Sequence, residues 1–257
     1  MHEGQQAEAL ARLASAHPAA RAPLARVVGS LIAAGGAPFE VIAGTPVTRY
    51  GARITFRSTT DPAALAEAAG LADHVWGVPD WIGVRTAPDG TVQCKAYHRR
   101  PPPLGISTVH RGLPAGLDPV MASLDGTVLE VYAVEPGQRS WPTFVAGCVT
   151  PLGLNATHDF APIPRPTRHA FAVSARHGGA QLTAVTVYAA TKALPTEDAL
   201  LAAWTAGMSG EQRTAFGQAV VAARQLGTAD VPLFDMLAWT FDASGFVSRA
   251  ASLRVGA

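Results

Sequence analysis

The chain has 257 residues, 48% of them hydrophobic, enough for a substantial core and for a β-barrel in one domain spanning residues 1–257. A net charge of +1 with 15% charged residues leaves no dominant basic stripe, which argues against a nucleic-acid binder. The two cysteines, Cys94 and Cys148, stand at no metal-ligand spacing and outline no disulfide framework, so both are expected to be packing thiols.

Met1 to Ala34 lacks the basic-then-apolar pattern of a signal peptide, and no run of about 18 uncharged apolar residues spans a bilayer, so a cytoplasmic protein away from the membrane is expected. Helices are predicted at Gln5 to His17 and Arg21 to Ala34, broken at Pro18 and stopped by Gly35-Gly36. Phe39 to Ile42 and Ala52 to Phe56 read as a strand pair around Gly44-Thr45-Pro46. Thr60-Asp61-Pro62 then opens a helix over Ala63 to Asp73, with a capping residue followed by proline in the first turn.

The clearest hairpin runs from Trp81 to Thr86, turns at Ala87-Pro88-Asp89-Gly90 and returns over Thr91 to His98. Beyond the Pro-rich Arg100 to Leu104, a short helix is expected at Leu117 to Leu124, then a third strand pair at Thr127 to Val134 and Trp141 to Val149. Arg168 to Ser174 and Leu182 to Ala190 form a fourth pair turning at Gly178-Gly179. Helices follow at Glu197 to Ala206 and Gln212 to Leu226, the second opened by Ser209-Gly210-Glu211-Gln212. Met236 to Phe241 and Phe246 to Val255, around Asp242-Ala243-Ser244-Gly245, complete a fifth hairpin. The rhythm is two helices then two strands, about five times over. It breaks at Thr150 to Thr167, which holds four prolines and no helical period. Closing about ten antiparallel strands into a barrel, with the helices outside, covers both sheet edges and the apolar outer face.

Strand alternation puts a trail of functional side chains on one face: Glu40, Arg53, Lys95, Tyr97 and Tyr188. A carboxylate, cations and aromatic faces together can ionise a diphosphate and shelter a carbocation. Arg85 joins the cations if the second hairpin turns through a three-residue loop, which sets it across from Gln93; a two-residue loop turns it outward. Arg254 is another candidate, because Leu253 and Val255 suit a helix-packed face, and Tyr132 a further aromatic. Each has an ordinary alternative: a solvated strand-end cation, a half-buried strand tyrosine, or, for Glu40, an exposed edge carboxylate. No Asp-Asp-x-x-Asp or His-Glu-x-x-His cluster and no Gly-rich phosphate loop occurs, so neither a metal nor a cofactor is expected.

Pro38-Phe39-Glu40, Arg53 within Ala52-Arg53-Ile54-Thr55-Phe56, Lys95-Ala96-Tyr97 and Thr186-Val187-Tyr188 resemble, in order and spacing, motifs of the ABBA prenyltransferases, in particular the indole or tryptophan dimethylallyltransferase branch. The resemblance implies a ten-stranded antiparallel barrel of ααββ units. It implies Glu40 as the group that takes the proton released by an aromatic acceptor, and Arg53 and Lys95 as diphosphate ligands joined by Arg85 and Arg254. Tyr97, Tyr188 and Tyr132 then shield an allyl cation. The implied reaction is metal-independent transfer of a prenyl group, dimethylallyl in the first instance, from its diphosphate to an indole, a phenol or an aromatic peptide.

Three features depart from the family. Trp141-Pro142-Thr143-Phe144-Val145 carries no Arg-x-Lys-x-Tyr row where the third hairpin is expected. The last strand reads Ser248, Ala250, Ser252, Arg254 where an aromatic is expected, and the chain is shorter than the fungal enzymes. A non-catalytic barrel that binds a hydrophobic small molecule, and a cyclase of a prenylated substrate with Glu40 as acid, are the alternatives.

Overall fold

The computed structural model describes residues 3–14, 18–45, 53–87, 89–99, 112–125, 128–137, 139–155, 171–190, 205, 209–226 and 234–255. Its helices are α1 (Glu3–Ala14), α2 (Arg21–Ala33), α3 (Pro62–Ala68), α4 (Trp141–Val149) and α5 (Gly210–Leu226). The strands are β1 (Gly36–Thr45), β2 (Arg53–Ser58), β3 (Trp81–Thr86), β4 (Val92–His98), β5 (Pro119–Asp125), β6 (Val128–Glu135), β7 (Phe171–Gly178), β8 (Gln181–Ala190), β9 (Phe234–Asp242) and β10 (Gly245–Arg254). They form one closed barrel in the order β1-β10-β9-β8-β7-β6-β5-β4-β3-β2, the ten-stranded architecture expected from repeated hairpins. No helix among the described residues is long and apolar enough to cross a membrane.

The chain divides into two compact units, Met1–His98 with Met208–Phe234 and Ala250–Ala257, and Arg99–Gly207 with Asp235–Arg249. In the first, Val41, Ile54, Phe56, Ile82, Val84 and Ala96 are fully buried. These are alternate positions on β1 to β4, as a period of two requires. α2 packs on β1, β3 and β4, while α3 packs on β2 and α5 on β1. Gly35, at φ 80°, ends α2 in the left-handed conformation that lets the chain turn directly into β1. α3 begins as its sequence demands, with the Asp61 side chain accepting from the Ala63 amide at 2.8 Å and proline in the first turn. On β1 the register slips between Pro38, opposite Phe56, and Glu40, opposite Thr55, so Phe39 is the extra residue of a β-bulge.

In the second unit the apolar face consists of Val131, Ala133, Val173, Ala175, Val185, Val187 and Phe241, all buried, and α4 packs over β7 and β8. Here two expected elements exchange identity. Leu117 to Leu124 was expected to be helical, but Pro119–Asp125 is strand β5, paired with β6 through Ala122 opposite Val131 and Leu124 opposite Leu129. Pairing overrides the weak local preference of Met121-Ala122-Ser123. Conversely, Trp141 to Val149 is helix α4 and not a strand: Ser140 caps it by accepting from the Thr143 amide, and proline occupies its first turn. Buried Phe144, Val145, Cys148 and Val149 then recur with helical spacing. The third hairpin is therefore β5–β6. The fourth, β7–β8, is described from Phe171, and the expected start at Arg168 lies outside the described residues. Arg100 to Leu104, most of the proline-rich 150–167 segment and all of the predicted Glu197 to Ala206 helix but Thr205 lie outside the described residues.

Candidate active site

In the first unit, consecutive Cα pairings run Glu40–Thr55, Thr55–Gly83 and Gly83–Lys95 across β1 to β4. The next row on the same face runs Arg57–Trp81–Tyr97, and Arg85 pairs with Gln93. This face is opposite the helix-covered one, and it brings Glu40, Arg53, Arg85, Lys95 and Tyr97 together. Arg254 shares it through alternation with Ser252 on β10, leaving Leu253 and Val255 buried on the other side.

Glu40 is buried, and each carboxylate oxygen has a hydroxyl donor: Thr55 Oγ1 to Oε2 at 3.2 Å, and Ser252 Oγ to Oε1. Two hydroxyls fix its orientation while leaving acceptor capacity on both oxygens. The bulge puts Phe39 on the same face, its ring 6.1 Å from that of Trp81. The Arg53 guanidinium donates to the Tyr97 hydroxyl and lies 5.3 Å from the ring centroid, with Lys95 Nζ 5.2 Å from it. Lys95 and Tyr97 are both buried. Arg85 Nε donates to Gln93 Oε1 at 3.1 Å, which steers its guanidinium along the strand pair.

The second unit carries a polar face of its own. Tyr132, Ser174, Thr186 and Thr240 are Cα partners in turn across β6 to β9, and Thr186 and Thr240 share a hydroxyl hydrogen bond of 3.0 Å. Ser174 Oγ donates to Glu130 Oε1 at 2.8 Å, so the Tyr188 hydroxyl, 3.1 Å from Ser174 Oγ, donates to the serine. Arg176 Nη2 lies 3.7 Å from Glu130 Oε2. The inward-alternating positions of the true third hairpin are thus Val128, Glu130 and Tyr132, with a buried carboxylate in place of a lysine in the Arg-x-Lys-x-Tyr row that the resemblance implies.

Sequence reasoning missed Glu130, Ser174, Thr55, Ser252, Trp81 and the exposed Arg57. For Glu130 a signal was present: a charge flanked by apolar neighbours inside a strand, at Leu129-Glu130-Val131. Alternation placed Ser252 on the face of Arg254, but its contact with Glu40 joins opposite ends of the sequence and had no signal. Both cysteines are packing thiols by position and acidity: burial raises Cys94 to about 11 and pushes Cys148 up further.

No protein-family profile matches the sequence, and no curated protein does. Solved structures do. The 5-dimethylallyltryptophan synthase of Streptomyces coelicolor superposes with a TM-score of 0.66 at 14% identity, over 97% of this chain and 95% of that one. A 6-dimethylallyl tryptophan synthase gives 0.67 at 12% identity over 99% and 96%. AnaPT from Neosartorya fischeri gives 0.63 at 11% over 98% and 92%. The Streptomyces enzyme has also been solved in complex with DMASPP and Trp. With the closed ten-strand order and end-to-end superposition on these enzymes, the chain has the fold of the ABBA-type aromatic prenyltransferases.

Proposed function

We propose that the protein transfers a prenyl group, dimethylallyl in the first instance, from its diphosphate to an electron-rich aromatic acceptor such as an indole or a phenol. The observation that carries this reading is the face of β1 to β4, where a hydroxyl-held carboxylate, Glu40, stands in one pairing row with Lys95, flanked by Arg53, Arg85 and Tyr97. That a protein of the same fold is solved with DMASPP and Trp supports it.

Diphosphate departure leaves an allylic cation, and charges fixed in a water-poor site neutralise the leaving group without reorganising. Lys95, Arg53 and Arg85 supply the positive charge. Tyr97 orients Arg53, and its ring face, with those of Trp81 and Phe39, tolerates the developing cation. The acceptor ring attacks the cation, forming the C–C or C–heteroatom bond. Glu40 then takes the proton that the acceptor loses, held in position by Thr55 and Ser252. Tyr188 and Tyr132 are assigned to shielding and Arg254 to the diphosphate on the resemblance.

The test is turnover of dimethylallyl diphosphate with a panel of indoles, phenols and aromatic peptides. Glu40→Gln is expected to keep diphosphate affinity while slowing turnover by about a hundredfold or more, the usual size of a general-base effect. Equal turnover by the variant removes Glu40 from the mechanism. The second reading, a barrel that binds an apolar ligand without chemistry, draws on Glu130 occupying a cation position of β6. Tight binding of an apolar ligand with no turnover across the panel establishes it.

A further inference from the structure

We propose that Gly83 is a positioning residue: its missing side chain opens the crossing by which Arg53, on β2, passes over β3 to reach the Tyr97 hydroxyl on β4. Gly83 stands at the centre of the site, with Thr55 and Lys95 as its Cα partners on the two neighbouring strands. A Cβ there would lie 2.9 Å from Arg53 Cδ, 2.9 Å from Tyr97 Cε2 and 3.4 Å from Arg53 Cγ. The first two distances are shorter than carbon atoms tolerate. The arginine stem and the phenol ring fill the space that any side chain at this position would need.

The backbone does not ask for glycine at 83. It is not among the glycines with positive φ, so alanine is conformationally admissible. In a strand interior glycine loses conformational entropy on folding and contributes no packing, and its usual justification is the close approach of another group. Arg53 and Tyr97 are that group. The stem of Arg53 has rotamers to escape a methyl, whereas the Tyr97 ring has two torsions and is buried. Added bulk therefore separates the guanidinium from the phenol first, and lets the cation swing away from Lys95.

The structural half of this inference, the coupling of Gly83 to the Arg53–Tyr97 contact, stands independently of the proposed activity. Its consequence for ligand affinity rests on the diphosphate reading. Four proteins separate the two: wild type, Gly83→Ala, Tyr97→Phe and the double variant, each measured for inorganic diphosphate binding by calorimetry and for unfolding by denaturant. Gly83→Ala is expected to fold and to weaken diphosphate binding about tenfold, as for loss of one well-placed charged donor. In the Tyr97→Phe background the same change is expected to cost about twofold or less, because the contact it disrupts is already gone. The unfolding midpoints are expected to be non-additive in the same sense. Additive midpoints overturn the crossing role of Gly83 whatever the ligand does. Non-additive midpoints with wild-type diphosphate affinity in Gly83→Ala overturn its role in the site. Wild-type protein that binds no diphosphate refutes the proposed function, and the midpoints then still decide the Gly83 contact.

Discussion

Lys95 is a buried ammonium beside an aromatic face, in a row whose other charged member, Glu40, lies three strands away. At about 4 Å a pair of opposite charges is worth about 1 kcal/mol in water and about 4 kcal/mol at the effective dielectric of a protein site, so burial makes such a cation an effective anion ligand. Lys95→Ala is expected to remove about 1.5–3 kcal/mol of affinity for a non-hydrolysable prenyl diphosphate analogue, tenfold or more, when titrated by calorimetry. An unchanged titration excludes Lys95 as a ligand. Arg53 donates to the Tyr97 hydroxyl and Arg85 to Gln93, so both guanidinium groups are held in place by side-chain partners.

At the level of elements, the β1 bulge and the β3–β4 hairpin build the candidate site. One inserted residue turns Phe39 onto the same face as Glu40, a pair that regular alternation would send to opposite sides. At the far end of β4, His98 is buried, its ring stacked on His74 at 4.9 Å with Nε2 3.2 Å from His74 Nδ1, and Trp76 edge-on to both. Burial, then the neighbouring His74, holds the His98 pKa below its ordinary 6.5, and the Asp80 carboxylate opposes them. The unfolded chain therefore binds a proton more readily than the folded one. The stability that neutral His98 contributes is complete above about pH 6.5 and is lost as pH falls from there through the folded-state pKa. Thermal melting should show a decline below about pH 6.5 that is smaller in His98→Gln. An identical pH profile in that variant removes His98 as its source.

Among the described residues, the two units differ in how charge is placed on their polar faces. The face of β1 to β4 has one carboxylate, Glu40, amid Arg53, Arg57, Arg85 and Lys95. In the second unit Glu130 is balanced by Arg176 and held through Ser174 to Tyr188. Among the described residues, the cations assigned to the proposed reaction, Arg53, Arg85, Lys95 and Arg254, lie on the first two hairpins and β10, and such side chains can do the neutralising that a metal ion does elsewhere. Consumption of dimethylallyl diphosphate in the presence of an aromatic acceptor is accordingly expected to persist in excess EDTA. Strict dependence on added magnesium would contradict this use of the arginines and lysine.

What the amino-acid order determined by itself is local. The Asp61-Pro62 helix start, the Trp81–His98 hairpin and the alternation that puts Arg53, Lys95 and Tyr97 opposite Ile54, Cys94 and Ala96 follow from turn chemistry and a period of two, which need no distant partner. The helix at Trp141 was also legible, in Ser140, Pro142 and the spacing of Phe144, Val145, Cys148 and Val149, although its β-branched and aromatic content suggests a strand. Tertiary structure alone decided the rest. β5 is a strand because β6 offers it a ladder, and Phe39 bulges because the register on β2 slips beneath it. Ser252 holds Glu40 across 212 residues of sequence, and Gly83 gives room to side chains from the strands on either side. Each of these depends on which strands become neighbours and in what register, a choice set by burying the apolar faces against the helices, and for Ser252 and Glu40 no local window of sequence contains both partners.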